Sequence, residues 1–413
     1  MNKPTFIIAA LMTLISANAI SDSGSANKVY DENSLRSAIE AANYDSSIKK
    51  IVFRSNSEIK LTAPIIYSGV QSLKLIGKNT VIDGSAAGSF ILDPDLTAIT
   101  EDGTLVFNTA SDVSIKDLTI KDSATRGIVV NVPKEAVGDD ISIRLTGVNI
   151  VNSALYGLHI DDNADEFDEG NIGSEIGIDL EIRDSSFIAN GTGAIDFDGV
   201  RVDERSGGDI VTVIIDSHID SNGGDGIELD EAGDGGVDLM MVDSTINQNG
   251  GFNQEDLDDG LDIDEADGGD VSVSLHGVDV NNNQDEGFDV DEEGQGNVQL
   301  DFNSINVIGN IDEGIKIDEE DEGNIRAKIR NAIIDANGDE GMQFTEVDEG
   351  KIKASFKKLN VTNNAKAGIR LDQFFVEDEE VTVEEAGSLK AKKVILNGNG
   401  KNDEIRVTNI EIK

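Results

Sequence analysis

Gly260, Gly287, Gly314, Gly341 and Gly368 stand 27 residues apart, four equal intervals in succession. A fixed period of that length confines a chain to stacked repeats, because a unit so short can bury a core only against its neighbours. Within a unit, apolar and polar side chains alternate over three short segments. In one unit these carry Ile315 and Ile317, then Ile325, Ala327 and Ile329, then Ala332 and Ile334. Alternation with period two is the mark of half-buried strands. Gly269, Gly296, Gly323 and Gly350 occupy the first corner of four successive units. Upstream the phase continues at Gly127, Gly157, Ala194 and Gly226, with intervals of 30, 37, 32 and 34 residues. Three strands per unit, each stacking on its counterpart, predict an all-β right-handed parallel β-helix of about 11 coils of ~27 residues.

A second row runs through Asn190, Asn222, Asn249, Asn283, Asn310, Asn337 and Asn364, in the turn before each new coil. Stacked amides there can hydrogen-bond to those above and below, which reads as a structural ladder.

Near the N-terminus, Asn33 to Asn43 places Leu35, Ala38, Ile39 and Ala42 on one face of a helix. The strand Ile51 to Phe53 and the short segments Leu73 to Gly77 and Val81 to Gly84 follow. This order resembles the capped start of pectate-lyase-like right-handed β-helix proteins. The resemblance implies a fold rather than an activity, since that fold hosts lyases, hydrolases, adhesins and surface proteins. Residues 1–19 read as a secretory signal peptide, with Lys3, an apolar run from Phe6 to Ile15 and a small-residue end at Ala17 and Ala19. Residues 20–50 then form the cap, 51–376 the β-helix, and 377–413 the last coil with a C-terminal cap. No other stretch reaches the ~20 apolar residues of a membrane span. The expectation is an exported chain which, having no cysteine, tolerates either redox condition.

The 413 residues include 81 acidic and 33 basic side chains, a formal net charge of -48. Such a surface repels phosphate and anionic lipid, which excludes a nucleic-acid binder. Residues 258–349 alone carry 28 acidic and 4 basic side chains. The acids follow the period. One row, Asp258/Asp259, Asp285/Glu286, Asp312/Glu313 and Asp339/Glu340, precedes each glycine. Another, Asp230/Glu231, Asp264/Glu265, Asp291/Glu292 and Asp318/Glu319, comes four and five residues after it, with Asp267, Asp321 and Asp348 at the next corner. Equivalent residues of stacked coils lie ~4.8 Å apart. Two unit charges at that spacing repel by ~0.9 kcal/mol in water and ~3.5 kcal/mol at an effective dielectric of 20.

With lysine and arginine too few locally, cations are the candidate compensators. All-oxygen ligation by carboxylates and turn carbonyls suits several Ca²⁺ ions better than Mg²⁺, which keeps its waters. The two rows are separated by roughly 17–20 Å of extended chain, too far to share an ion. The Asp264/Glu265/Asp267 and Asp318/Glu319/Asp321 row is the better candidate, because the chain turns there. No EF-hand loop is present, and the competing reading is a solvated acidic surface.

Catalytic residues do not converge in the sequence. His159, His218 and His276 fall at three phases of the repeat and read as ordinary surface histidines. Arg183, Arg201, Arg205 and Arg370 are scattered, and the segment Arg201 to Asp203 is the one place to probe. Phe288, Phe302, Phe344 and Phe356 occupy inward phases, so they supply no sugar platform. The functional expectation is a secreted calcium-binding structural or adhesive β-helix protein of a bacterial cell surface or extracellular matrix. Its partners would be calcium, further copies joined through calcium bridges, or surface polysaccharide. The alternative is a secreted calcium-dependent polysaccharide lyase or glycoside hydrolase.

Overall fold

Alternation of side chains turns each repeat into strands, and the strands stack in parallel register along the whole solenoid. The computed structural model describes residues 27–93, 96–100, 102–163, 172–252, 257–377, 380–382, 385–401 and 403–413. The signal-peptide expectation lies outside these residues. First strands of successive coils, among them Val200–Glu204, Ile227–Gly233, Leu261–Asp267, Ile315–Asp321 and Met342–Asp348, belong to a sheet of 13 strands, here called the front sheet. Second and third strands share a 20-stranded sheet. The segment Asn324–Asp335 supplies both strands of its coil and bends at Asn331, whose φ is 52°. This is the right-handed parallel β-helix of the pectate-lyase-like type.

Register carries the repeat into three dimensions. Asp264 pairs with Asp291, and Asp291 with Asp318. Ile325, Ala327, Ile329 and Ile334 all point into the core. Phe288 meets Phe302 edge-on with centroids 5.3 Å apart, and Phe344 meets Phe356 at 6.2 Å. Corners demand left-handed backbone. Asp267, Asp321 and Asp348 have φ of 84°, 82° and 86°, and Gly294 takes the same register position at 135°. Short polar side chains and glycine tolerate this conformation best.

The asparagine row is a continuous ladder. Asn190, Asn222, Asn249, Asn283, Asn310, Asn337 and Asn364 each donate Nδ2 to Oδ1 of the next, over 2.9–3.1 Å, and Asn399 extends the row by one rung. The same Oδ1 atoms accept the backbone N–H of the preceding asparagine, as Asn310 does from Asn283 at 3.0 Å. Every rung through Asn364 is at most 1% exposed, so these bonds satisfy turn backbone that water does not reach.

The helix Glu32–Tyr44 caps the N-terminal end, burying Leu35, Ala38, Ile39 and Ala42. Its first turn is closed by a capping box of Asp31 and Ser34. At the other end Ile369–Glu377 turns back antiparallel onto Glu380–Thr382.

Replacing Asn310 by Ala removes the acceptor for the N–H and Nδ2 of Asn283 on one side and the donor to Asn337 Oδ1 on the other. Each orphaned group costs ~1–3 kcal/mol, so chemical denaturation should show a loss of about 3 kcal/mol. A loss below about 0.5 kcal/mol would show that the ladder is incidental.

Candidate metal centres and a buried ion network on the front sheet

Strand alternation sorts the front-sheet acids by face. In Leu261–Asp267, Asp262 and Asp264 point out while Ile263 and Glu265 point in, and Glu265 is 1% exposed. The paired acids of the sequence therefore separate. Asp230, Asp264, Asp291 and Asp318 stand in one outward column, whereas Glu231, Glu265, Glu292 and Glu319 line the interior. The corner row expected to be the better site does not assemble. Its glutamates face the core, and Asp267 and Asp321 sit exposed at left-handed corner positions.

A column the sequence analysis missed connects the rest. Glu228, Asp262 and Asp289, two residues after each coil's glycine, project from the outer face between the two predicted rows. Among the described residues, four groups of carboxylates have ligand oxygens within 4.8 Å of one another. They are Asp196, Asp198 and Glu228; Glu228, Asp230 and Asp264; Asp259, Glu286 and Asp289; and Asp312, Glu313 and Asp339. Each could hold a metal ion. The two rows are thus one acidic face rather than lines ~17–20 Å apart, since the bridging residue sits on the strand between them. Asp258, Asp285, Asp291, Asp318 and Glu340 border these groups without completing one. The missed signal was the same alternation, carried two residues past the glycine instead of four.

Basic side chains reach this face at a few points. Lys316 occupies the bridging column, 2.5 Å from Asp289 Oδ2 and 3.5 Å from Glu286. Lys366 pairs with Asp339 and stands 3.9 Å from Glu340. Compensation is incomplete. Asp289 Oδ1 and Asp339 Oδ1 are buried without a hydrogen-bond partner, which at an ionised carboxylate is costly.

At the N-terminal end of this face lies a buried ion network around Arg201 and Asp203. Arg201 donates to Asp203 at 2.8 Å and Asp230 at 3.1 Å and also pairs with Glu228. Arg205 reaches Asp203 at 3.3 Å and binds Asp230. His159 is fully buried, not a surface residue. Its Nε2 is 2.9 Å from Asp203 and its Nδ1 is 2.7 Å from Arg126. Guanidinium can only donate, so Nδ1 accepts and the ring proton sits on Nε2, donated to Asp203. Tyr156 packs on the imidazole with centroids 4.5 Å apart. His218 is exposed and joins none of this.

Burial, then neighbouring charge, sets the electrostatics. It pushes Asp264 up to about 7, helped by Asp230 and Asp291, and Glu313 up to about 8, helped by Asp312 and Asp339. Burial also raises Asp291, to about 6, against the opposing pull of Lys316. Burial acts on Asp203 as well, but Arg201, His159 and Arg205 together hold it well below the usual carboxylate range.

No protein-family description matches the chain, and no curated protein matches it. Similar solved structures are β-helix proteins at 12% identity. The catalytic domain of a GH87 alpha-1,3-glucanase in complex with nigerose aligns over 96% of this chain and 69% of its own, with a TM-score of 0.49, and a point-substituted form reaches 0.50. A double mutant of the periplasmic alginate epimerase AlgG aligns over 94% and 84% with a TM-score of 0.44. The likeness at a TM-score of 0.50 supports the fold alone.

The raised carboxyls predict a pH dependence with a definite sign. Their native pKa values exceed the ~4 of the unfolded chain, so the native state binds more protons in between. Their contribution to stability is fully present below about pH 4 and is lost as pH rises through 6 to 8. Asp203 acts oppositely, and only as pH falls below about 4. Chelator-treated protein should therefore melt at progressively lower temperature from pH 5 to pH 8. A rising melting temperature over that range would contradict the assignment.

Proposed function

We propose that this chain is an exported, calcium-loaded β-helix that serves as a structural or adhesive component of a bacterial cell surface or extracellular matrix. The observation that carries the reading is the registered front face, where four carboxylate groups converge and buried oxygens such as Asp289 Oδ1 lack a partner. Solubility alone needs negative charge somewhere on the surface. It does not need carboxylates stacked in register at a cost of several kcal/mol per coil. Calcium accepts 6–8 oxygen ligands in flexible geometry, which suits groups built from aspartate and glutamate of different coils. Ions that bind only the folded chain stabilise it by mass action.

Thermal melts with chelator and with millimolar Ca²⁺ should differ by many degrees, with Na⁺ at matched ionic strength unable to substitute. Identical curves would leave a solvated acidic face. Asp264→Asn and Asp289→Asn should each weaken calcium affinity by about tenfold or more, because ligand charge sets affinity in such sites. Asp301→Asn should not, since Asp301 is already paired with Lys328 at 2.9 Å and Arg330 at 2.6 Å. Equal effects in a calorimetric titration would reduce the role of the acids to net charge.

A carbohydrate-active reading, as a calcium-dependent polysaccharide lyase or glycoside hydrolase, is favoured by one observation. Tyr156, His159, Arg201 and Asp203 bring together groups able to move protons and neutralise a uronate. All four are buried and engaged with one another, which favours a role in holding the coils. Incubation with pectin, alginate and α-glucans decides between the readings: metal-dependent release of unsaturated or reducing ends would replace the structural role with an enzymatic one.

A further inference from the structure

Charge changes character along this chain. Residues 351–413 carry 12 basic and 10 acidic side chains, against 4 basic and 28 acidic in residues 258–349. The lysines of the last coils gather on one surface, the outer face of the 20-stranded sheet. In Lys353–Thr362 and Gly387–Asn397 the core takes Ala354, Phe356 and Leu389, so Lys353, Lys357, Lys390 and Lys392 point outward and are exposed. Register stacks them. Lys357 pairs with Lys392, and Lys353 lies beside Arg326 of the preceding coil. Lys358 and Lys393 extend the patch at the following corner, with φ of 58° and 57°.

The chain does not balance this patch. One coil earlier, Lys328 and Arg330 are both tied to Asp301. Lys357, Lys390 and Lys392 have no ion-pair or hydrogen-bond partner among the described residues. Partial burial, then Arg326 and Lys351 nearby, lowers the pKa of Lys353, as desolvation and like charge do to an ammonium. Stacked lysines repel by the same ~0.9 kcal/mol in water that opposes stacked carboxylates.

The acidic front face is a similar lattice of opposite sign. Leu261 bridges to Phe288 and Asp264 pairs with Asp291, which stacks Asp262 on Asp289 as well. Rungs of a column lie ~4.8 Å apart, and outward neighbours on one strand, such as Asp262 and Asp264, ~6.6 Å apart. Lys357 and Lys392 repeat the first spacing, and Lys390 and Lys392 the second. Lysine already serves these acids within the chain, since Lys316 stands next to Asp289 in its column and lies 2.5 Å from its Oδ2. A flexible four-carbon stem lets an ammonium from outside do likewise.

We propose that the lysine patch of the last coils is a docking face for the acidic front face of a second copy of this chain. Two different surfaces meet, so the contact is heterologous and passes from copy to copy instead of closing a symmetric dimer. At ~0.15 M ionic strength, charges more than ~8 Å apart are largely screened. Screening mutes the repulsion between two chains of net charge -48 and leaves the matched patches their attraction at contact. This contact rests on the structural role proposed above and names its partner, but it makes calcium a competitor, because lysine and calcium seek the same carboxylates.

Analytical ultracentrifugation of the full chain in chelator at ~0.15 M ionic strength tests it. The weight-average mass should rise with concentration, return to the monomer value at ~1 M salt, where the screening length is ~3 Å, and fall when Ca²⁺ is added. Lys390→Glu with Lys392→Glu should abolish association. So should Asp262→Lys with Asp289→Lys, which installs the residue that Lys316 already places one coil on. Each variant keeps one intact face, so an equimolar mixture of the two should form heterodimers and stop there, which neither misfolding nor a general change in net charge produces. A wild type that stays monomeric in chelator overturns the proposal. Association that survives the lysine reversal also overturns it, as does association that calcium strengthens, the sign of ions bridging two acidic faces. Alginate or polygalacturonate bound by a monomeric wild type and released by the lysine reversal would assign the patch to an anionic polysaccharide instead. Thermal melts separate this contact from the calcium sites: protein that calcium stabilises but that never associates loses the contact alone, and protein that associates without any calcium stabilisation loses the metal sites alone.

Discussion

Translation of each coil onto the next governs this molecule. In a parallel β-helix a residue's nearest neighbours include its own equivalents one coil up and one coil down, so any side-chain choice is multiplied along the rod. For asparagine the multiplication is favourable, because an amide is donor and acceptor at once and closes a ladder from Asn190 to Asn399. For an ionised carboxylate it is unfavourable, because the group only accepts. The same register that satisfies one side of the coil places like charges in contact on another.

The chain answers that conflict unevenly. Towards the N-terminal end of the acidic face, Arg201 and Arg205 knit Asp203, Glu228 and Asp230 into a closed network. Further along, Lys316 and Lys366 each serve one coil, and Asp259 accepts the backbone N–H of Glu286. Asp289 Oδ1 is among the buried carboxylate oxygens left without a partner. Compensation of the outer face by cations, as proposed above, would place the stability of the solenoid under the control of its ionic surroundings.

Much of this was readable from residue spacing. The 27-residue period, the inward phenylalanines and the asparagine row all depend on patterns that recur from coil to coil, and periodicity is what a sequence displays most directly. What stayed hidden depended on the direction of single side chains. Asp264 and Glu265 are adjacent in the chain, yet the strand sends one to solvent and the other to the core. Asp267 and Asp321 recur because their corner needs a residue at ease with positive φ, and spacing alone does not separate that demand from metal ligation. His159 looked unremarkable because its partners, Arg126 and Asp203, lie 33 and 44 residues away, in coils whose lengths depart from the regular period.

The most direct test of cation compensation is long-wavelength anomalous diffraction from crystals grown in calcium. Ordered calcium peaks should lie within coordination distance of the front-sheet carboxylates, and those belonging to one column should be spaced by about one coil, ~4.8 Å. A well-ordered, calcium-saturated crystal with no anomalous peak near Asp259, Asp264, Asp289 or Asp339 would contradict the account.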